Sequence, residues 1–327
     1  MTARVTRSSA NQVAPIEFGD VAIQPGERRR LDLLIGRLPT HTPLHMPLIV
    51  VHSKRPGPRL WVNAAIHGDE LNGTEIIRIA LDRVGDRLSR GTLIAVPIVN
   101  VISFIQQTRY LPDRRDLNRS FPGSTRGSLA ARLAHQFMNQ IVARCTHGLD
   151  LHTASLEKTN YPQVRGNLRD PETNRLARAF NAPVIMQSIV RNGSLRDAAT
   201  RRGVPIIVYE AGEPQRFNPL AIEIGVNGVM GVLKALGMID FPIERNRRRP
   251  MIIQSSTWIR ARGGGLLRLT VEEGQSVKAG QELGTIADPF GEHATPVTAP
   301  FAGLIIGRTE NPVIHDGDAI IHLGQPG

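Results

Sequence analysis

Cysteine occurs once in 327 residues, at Cys145, so the chain can form neither an internal disulfide nor a thiolate zinc cluster. Aromatic residues make up only 4 % of the chain, and four lysines stand among its 40 basic residues. No apolar run approaches the roughly 20 residues that a membrane-spanning helix needs; the longest is Leu93–Val99. The first residues, MTARVTRSSANQ, lack the apolar core of about 7–15 residues found in a secretory signal peptide. These absences exclude a disulfide scaffold and a membrane-spanning protein, and they make the cytoplasm the expected compartment. Ordinary apolar (41 %) and charged (21 %) contents exclude collagen-like and largely disordered chains.

What is abundant is arginine, which supplies 36 of the 40 basic residues and leaves a net charge of +11. Guanidinium groups suit the bidentate binding of carboxylate or phosphate. Nucleic acid is not the expected partner, because no helix-turn-helix, zinc-finger or RNA-binding signature accompanies the charge. The one dense basic run, Arg245-Asn246-Arg247-Arg248-Arg249, precedes Pro250 and reads as a solvated linker.

The length predicts about two domains. Residues 1–45 read as an extended polar segment, with short extended stretches beyond it such as Leu48–Val51. From Leu60 strands and helices alternate. Strands are predicted at Leu60–Ile66, Leu93–Val99, Gly148–Thr153, Ala182–Ile189 and Pro205–Tyr209. Helices are predicted at Gly73–Val84, Ser128–Cys145, Ser194–Arg202 and Asn218–Leu236, the last stopped by Gly237. Such alternation argues for an α/β domain with a mixed sheet flanked by helices, spanning residues 1–245. After Pro250 the texture changes to Gly, Val, Thr and Ile with closely spaced turns, which predicts a smaller all-β barrel or sandwich over residues 251–327.

Three strings carry candidate chemistry, and ligands of open α/β sheets gather at the carboxyl ends of strands. His67-Gly68-Asp69-Glu70 directly follows a predicted strand, so an imidazole and a carboxylate can face one point across a tight turn. Asp150-Leu151-His152-Thr153 lies at another strand end, where His152 can complete a His-Glu-His set with a position open for water, as catalytic zinc sites require. Taken singly, each histidine also fits a purely structural role. Asp116-Leu117-Asn118-Arg119-Ser120-Phe121-Pro122-Gly123 offers an Asn-Arg pair able to grip a carboxylate. The Leu, Phe and Pro among its charges point to a packed loop.

In order along the chain, HGDE, DLNR-x-FPG, DLH-T and Tyr209-Glu210-Ala211-Gly212 resemble the succinylglutamate desuccinylase/aspartoacylase family, a branch of the zinc carboxypeptidase fold. The resemblance covers roughly residues 45–240, and the C-terminal β-unit is also similar to one that family members carry. It implies that one Zn2+ is held by His67, Glu70 and His152. It further implies that Asn118 and Arg119 bind the substrate carboxylate and that Glu210 is the catalytic glutamate. Arg109 takes the place of the arginine that polarises the scissile carbonyl. The loop from Arg109 to Asn118 is longer than in aspartoacylases, so Arg114 or Arg115 are alternatives, and Arg115 is also a candidate substrate contact. Further contacts to an acidic substrate have only candidates here, in Arg196, Arg201 and Arg202.

With two neutral imidazoles and one carboxylate the zinc site carries net +1, and a bound water ionises near neutral pH. Glu210, at the end of the apolar strand PIIVY, can take that proton and pass it to a leaving amine; its neighbour Glu213 is the competitor. The expectation is a zinc amidohydrolase that removes an acyl group from an N-acyl amino acid or a related small amide. A zinc carboxypeptidase acting on peptides or γ-linked tails is the second reading, and a non-catalytic metal- or ligand-binding protein the third. The strings around Val271–Gln281 and Ala299–Gly303 look like hairpins of biotinyl/lipoyl domains. No lysine stands at the hairpin segment 292–298, and Lys278 is the only lysine after residue 250, so a structural rather than a carrier role is expected. A homo-oligomer is possible, and no membrane partner is expected.

Overall fold

The computed structural model describes residues 13–243 and 249–327. The basic run before Pro250 therefore lies outside the described residues, apart from Arg249.

Two short strands, β1 (Ile16–Phe18) and β2 (Val21–Ile23), pair with each other. The chain continues through β3 (Arg28–Arg37), β4 (Pro43–His52), β5 (Arg59–Ala64), α1 (Asn72–Val84), β6 (Thr92–Val96), α2 (Val101–Gln106) and α3 (Leu129–Gln140). It goes on through β7 (His147–His152), β8 (Lys158–Gly166), α4 (Pro171–Phe180), β9 (Val184–Gln187), α5 (Leu195–Arg201), β10 (Ile206–Gly212) and α6 (Pro219–Ala235). All the described structure after Pro250 is β: β11 (Met251–Arg260), β12 (Gly265–Leu269), β13 (Ser276–Val277), β14 (Glu282–Ala287), β15 (Thr295–Thr298), β16 (Gly303–Thr309), β17 (Val313–Ile314) and β18 (Ala319–Pro326).

A twelve-stranded mixed sheet runs through the molecule in the order β13-β16-β18-β11-β9-β8-β10-β7-β5-β6-β4-β3. Its centre is parallel at β10–β7, β7–β5 and β5–β6, and β8 lies antiparallel to β10. Helices α1, α4 and α6 bury Ile76, Leu176, Val229 and their neighbours on one face; α3 and α5 bury Phe137, Met138 and Leu195 on the other. Burial on both faces explains why β5, β6 and β7 read as nearly continuous apolar runs. Strands β12, β14, β15 and β17 form a separate four-stranded sheet, and a small core around Leu283, Ile305 and Ile321 lies in the C-terminal region.

Several elements differ from the sequence reading for identifiable reasons. The polar N-terminal stretch is not merely extended: β3 and β4 pair with each other, and β4 pairs with β6, so both join the sheet. Strand β6 stops at Val96 because Pro97 has no N–H to donate. Helix α3 ends at Gln140 rather than near Cys145, where the Arg144 guanidinium turns back onto the carbonyls of Asn139 and Gln140 (2.6 and 3.0 Å) and a 3₁₀ turn follows at Val142–Arg144. Strand β11, which begins just after the composition boundary, joins the two regions. Its first residues pair in parallel with β9, and Ser255–Arg260 pair antiparallel with β18.

Trp61 on β5 is fully buried, and its indole occupies the space that a side chain at Gly148 on β7 would need. Gly148→Ala is therefore expected to destabilise the fold by about 1–3 kcal/mol through overpacking, read as a lower denaturant midpoint at unchanged slope. His322 on β18 stacks on Trp258 at 4.6 Å and hydrogen-bonds Ser256. Burial, with Arg165 nearby, depresses its pKa to about 3. Unfolded chains take up this proton near pH 6.5 while the folded one does not. The histidine should therefore cost stability as pH falls below about 6.5 towards 3. His322→Gln should flatten that part of the pH–stability curve, measured by urea unfolding.

Candidate metal centre and active site

Strand β5 ends at Ala64, and the next residues turn sharply to deliver His67 and Glu70. Gly68 lies directly against the backbone of Ser103 in α2, leaving no space for a side chain. The adjacent parallel strand β7 ends on His152, and Glu210 near the end of β10 pairs with it in register. Paired residues of neighbouring strands project to the same face, so Glu210 and His152 leave the sheet together.

His67, Glu70 and His152 are all buried, and one ligand atom from each lies within 4.8 Å of the others. The two oxygens of Glu70 are shared between the imidazoles: Oε1 lies 2.7 Å from His67 Nδ1, and Oε2 lies 2.7 Å from His152 Nδ1. Glu70 Oε2 also accepts from the Thr153 backbone N–H at 3.1 Å. Each distal nitrogen faces a further carboxylate. His67 Nε2 is 3.0 Å from Asp116 Oδ1, and His152 Nε2 is 2.9 Å from Asp150 Oδ2, although not aligned as a hydrogen bond. Behind Asp150 a buried relay continues, as Asn63 Nδ2 donates to Asp150 Oδ1 and Trp61 Nε1 donates to Asn63 Oδ1.

These contacts set the charge states. Burial alone would raise the Glu70 pKa, but the two imidazoles more than offset it and hold the carboxyl well below its usual range. Burial would depress both histidines, yet Glu70 with Asp116 raises His67, and Asp150 with Glu70 raises His152. Two proximal imidazole nitrogens converging on one ionised carboxylate, each ring backed by another acid, form a donor set that fits a divalent zinc ion.

Arg109 reaches this centre. Its Nη2 donates to Asp116 Oδ2 at 2.9 Å, and its Nη1 lies 3.4 Å from Glu70 Oε1. Arg114 and Arg115 are exposed, and among the described residues Arg115 pairs only with Asp113, at 4.0 Å, so neither joins the cluster. Asp116 caps the short turn Leu117–Arg119 by accepting from the Asn118 N–H, and Asn118 Oδ1 accepts from the Leu195 N–H at 2.9 Å. This leaves the Asn118 amide nitrogen and the largely exposed Arg119 on the loop beside the centre. Partial burial lowers the Arg119 pKa, with Arg191 and Arg109 adding repulsion.

Glu210 accepts from Asn160 Nδ2 at 2.8 Å through Oε2 and pairs with Arg165 Nη1 at 3.1 Å through Oε1. Glu213 lies instead beside Thr159 and Asn218, each at 3.4 Å. Among the arginines upstream of Glu210, Arg201 and Arg202 lie outside, on Asp197 and on the Met138 carbonyl. Arg196 is buried, and among the described residues its Nη1 finds no hydrogen-bond partner. Burial and the nearby Arg165 depress its pKa to about 10. Asp116, Asn160 and Arg165 are the residues of this site that sequence reading passed over. Asp116 stood inside a motif whose neighbours drew the attention, whereas nothing local marks Asn160 or Arg165.

The fold agrees with the comparisons. The model of the succinylglutamate desuccinylase/aspartoacylase catalytic domain matches residues 56–236, more than half of the chain. The chain belongs to that family. Among individual relatives it is 26 % identical, over 86 % of its own length and 85 % of the other's, to the N-alpha-acetyl-L-2,4-diaminobutyric acid deacetylase of Halomonas elongata. Among solved structures it superposes on a succinylglutamate desuccinylase/aspartoacylase from Rhodobacter sphaeroides with a TM-score of 0.82 at 25 % identity, covering 92 % of this chain and 96 % of that one. It also shares the fold of a product-bound ectoine utilization protein from Ruegeria pomeroyi, with a TM-score of 0.83 at 22 % identity over 97 % and 99 % of the two chains.

If the three buried donors hold the metal, His152→Ala should reduce bound zinc from about one per chain to near zero, measured by elemental analysis after dialysis against zinc. Asp116→Asn should weaken zinc binding by about 10–100-fold while leaving the ligands in place, read by competition with a chromogenic chelator.

Proposed function

We propose that the protein is a zinc-dependent deacylase that hydrolyses the amide bond of a small N-acyl amino acid. The observation that supports this reading is the register of β10 on β7, which pairs Glu210 with His152 of the His67–Glu70–His152 cluster. Zinc held there supplies Lewis acidity to water and to the scissile carbonyl. Glu210 accepts the proton of the attacking water at its carboxylate and delivers it to the leaving amine nitrogen. Arg109, already oriented by Asp116, offers guanidinium N–H groups to the oxygen on which charge develops. Arg119 and the Asn118 amide hold the substrate carboxylate from the loop.

Family membership and the deacetylase relative support an acyl-amino-acid substrate. Nα-acetyl-2,4-diaminobutyrate is the first compound to try. Among the described residues no helix is long and apolar enough to cross a membrane, and the proposed compartment is the cytoplasm. We read the C-terminal strands as a barrel-sandwich-like unit that carries no prosthetic group on Lys278.

The test is amine release from N-acetyl, N-formyl and N-succinyl forms of acidic, basic and neutral amino acids, with and without chelator. Release from one group, abolished by chelator and restored by zinc, is the expected result; release insensitive to chelator would defeat the zinc mechanism. Glu210→Gln should keep its zinc and lose about 10²–10⁴-fold in kcat, and a near-wild-type rate in that variant would remove Glu210 from the proton path. Arg119→Ala should mainly raise KM, because its contact holds substrate and transition state alike.

A further inference from the structure

Glu210 is held by strand β8, which pairs with the edge of β10 opposite to β7. Both of its oxygens are occupied there, Oε2 by the Asn160 amide at 2.8 Å and Oε1 by the Arg165 guanidinium at 3.1 Å. Neither holder is independent. Arg165 Nε donates to Gln163 Oε1 at 3.3 Å, and the fully buried Gln163 donates from its Nε2 to the carbonyl of Ile306 at 2.8 Å. The next residue, Gly307, pairs in register with Asn160. A Cβ on Gly307 would lie 2.8 Å from Asn160 Oδ1 and 3.1 Å from the Thr159 carbonyl. Two consecutive residues of β16 thus start two threads. One runs from the Ile306 carbonyl through Gln163 and Arg165 to Oε1, and the other from Gly307 through Asn160 to Oε2. Strand β16 itself is anchored by Ile305 in the C-terminal core and by Leu304 and Ile306 in a small cluster with Val184, Met186 and Ile253.

We propose that strand β16, acting through Asn160 and the Gln163–Arg165 pair, positions the Glu210 carboxylate for proton transfer, which makes the C-terminal strands a working part of the active centre. Asn160, Gln163, Arg165 and Gly307 are positioning residues, since none of them reaches the metal ligands. This rests on the reading of Glu210 as the proton carrier. A carboxylate fixed at both oxygens keeps one geometry through the reaction, whereas a free one samples several rotamers, and misplacement of a catalytic group by about 1 Å can cost 10²-fold.

The experiment compares Gly307→Ala, Asn160→Ala and Glu210→Gln in the full-length zinc-loaded protein, with Ile286→Val on β14 as a control that loosens the C-terminal core away from β16. Kinetics are measured on the N-acyl amino acid panel, and zinc content is measured in parallel. Gly307→Ala and Asn160→Ala are expected to lower kcat by about 10–100-fold with KM and zinc content unchanged, and Ile286→Val to keep its kcat. A crystal structure of Gly307→Ala should show the Glu210 carboxylate displaced from Asn160; this arm requires no substrate. Wild-type kcat in Gly307→Ala and Asn160→Ala beside an inactive Glu210→Gln would overturn the positioning role and leave the reading of Glu210 intact. Full activity in Glu210→Gln would instead overturn that reading. Loss of zinc, or a raised KM at constant kcat, would reduce β16 to general scaffolding, as would an undisplaced Glu210 in the crystal. Should Gly307→Ala fail to fold, Asn160→Ala decides the question alone.

Discussion

The arrangement around Glu70 depends on one electrostatic requirement, that a fully buried carboxylate be neutralised where water cannot do it. An ionised acid taken out of water without a partner costs several kcal/mol. Glu70 meets this by presenting one oxygen to each of two imidazoles. Those rings gain positive character and must be backed in turn, by Asp116 for His67 and by Asp150 for His152. The second tier requires its own partners, Arg109 for Asp116 and Asn63 with Trp61 for Asp150. The polar network thus grows outward from one carboxylate until it reaches groups that need no further charge. It also explains why Trp61 crosses β7 and why the residue beneath it is glycine.

The same network shows what arginine contributes that lysine would not. Arg109 bridges two different carboxylates with the two arms of a planar fork, and Arg165 spans Gln163 and Glu210 in the same way. An ammonium is a compact charge that cannot hold two directions at fixed angles. Part of the strong arginine bias of this chain is therefore spent on orientation inside the cleft rather than on a general affinity for anions.

The proximity of His67, Glu70 and His152 was legible because the two histidines follow apolar runs that read as buried strands, with Glu70 a tight turn beyond the first. Glu210 was preferred to Glu213 because it continues the apolar strand, and the structure places it within β10 with Glu213 beyond. Arg109 was harder to place, because a loop of several arginines offers no periodicity that distinguishes its members. Folding does so, by setting Arg109 against Asp116 and leaving Arg115 in solvent. The partners of Glu210 were not legible. Strand β8 reads KTNYPQVRG, a polar string with a proline, and its neighbour β16 lies some 140 residues further on. The change of texture at Pro250 is real, but it conceals a continuous strand pairing, since β11 just beyond it pairs with β9 from before the boundary and with β18 from after it.

Although β16 closes part of the twelve-stranded sheet by also pairing with β8, two edge strands remain among the described residues, and these are the places where another chain could add itself. At one end β13 is two residues long and offers almost no template. At the other, β3 is ten residues long, and its exposed positions begin with Arg28, Arg29 and Arg30. A second molecule docking there edge to edge would bring like charges together, the device by which natural sheets discourage runaway pairing. The wide sheet that gathers the active site could thus have been an aggregation hazard, and the arginine-rich opening of β3 together with the brevity of β13 keeps its growth closed at both ends.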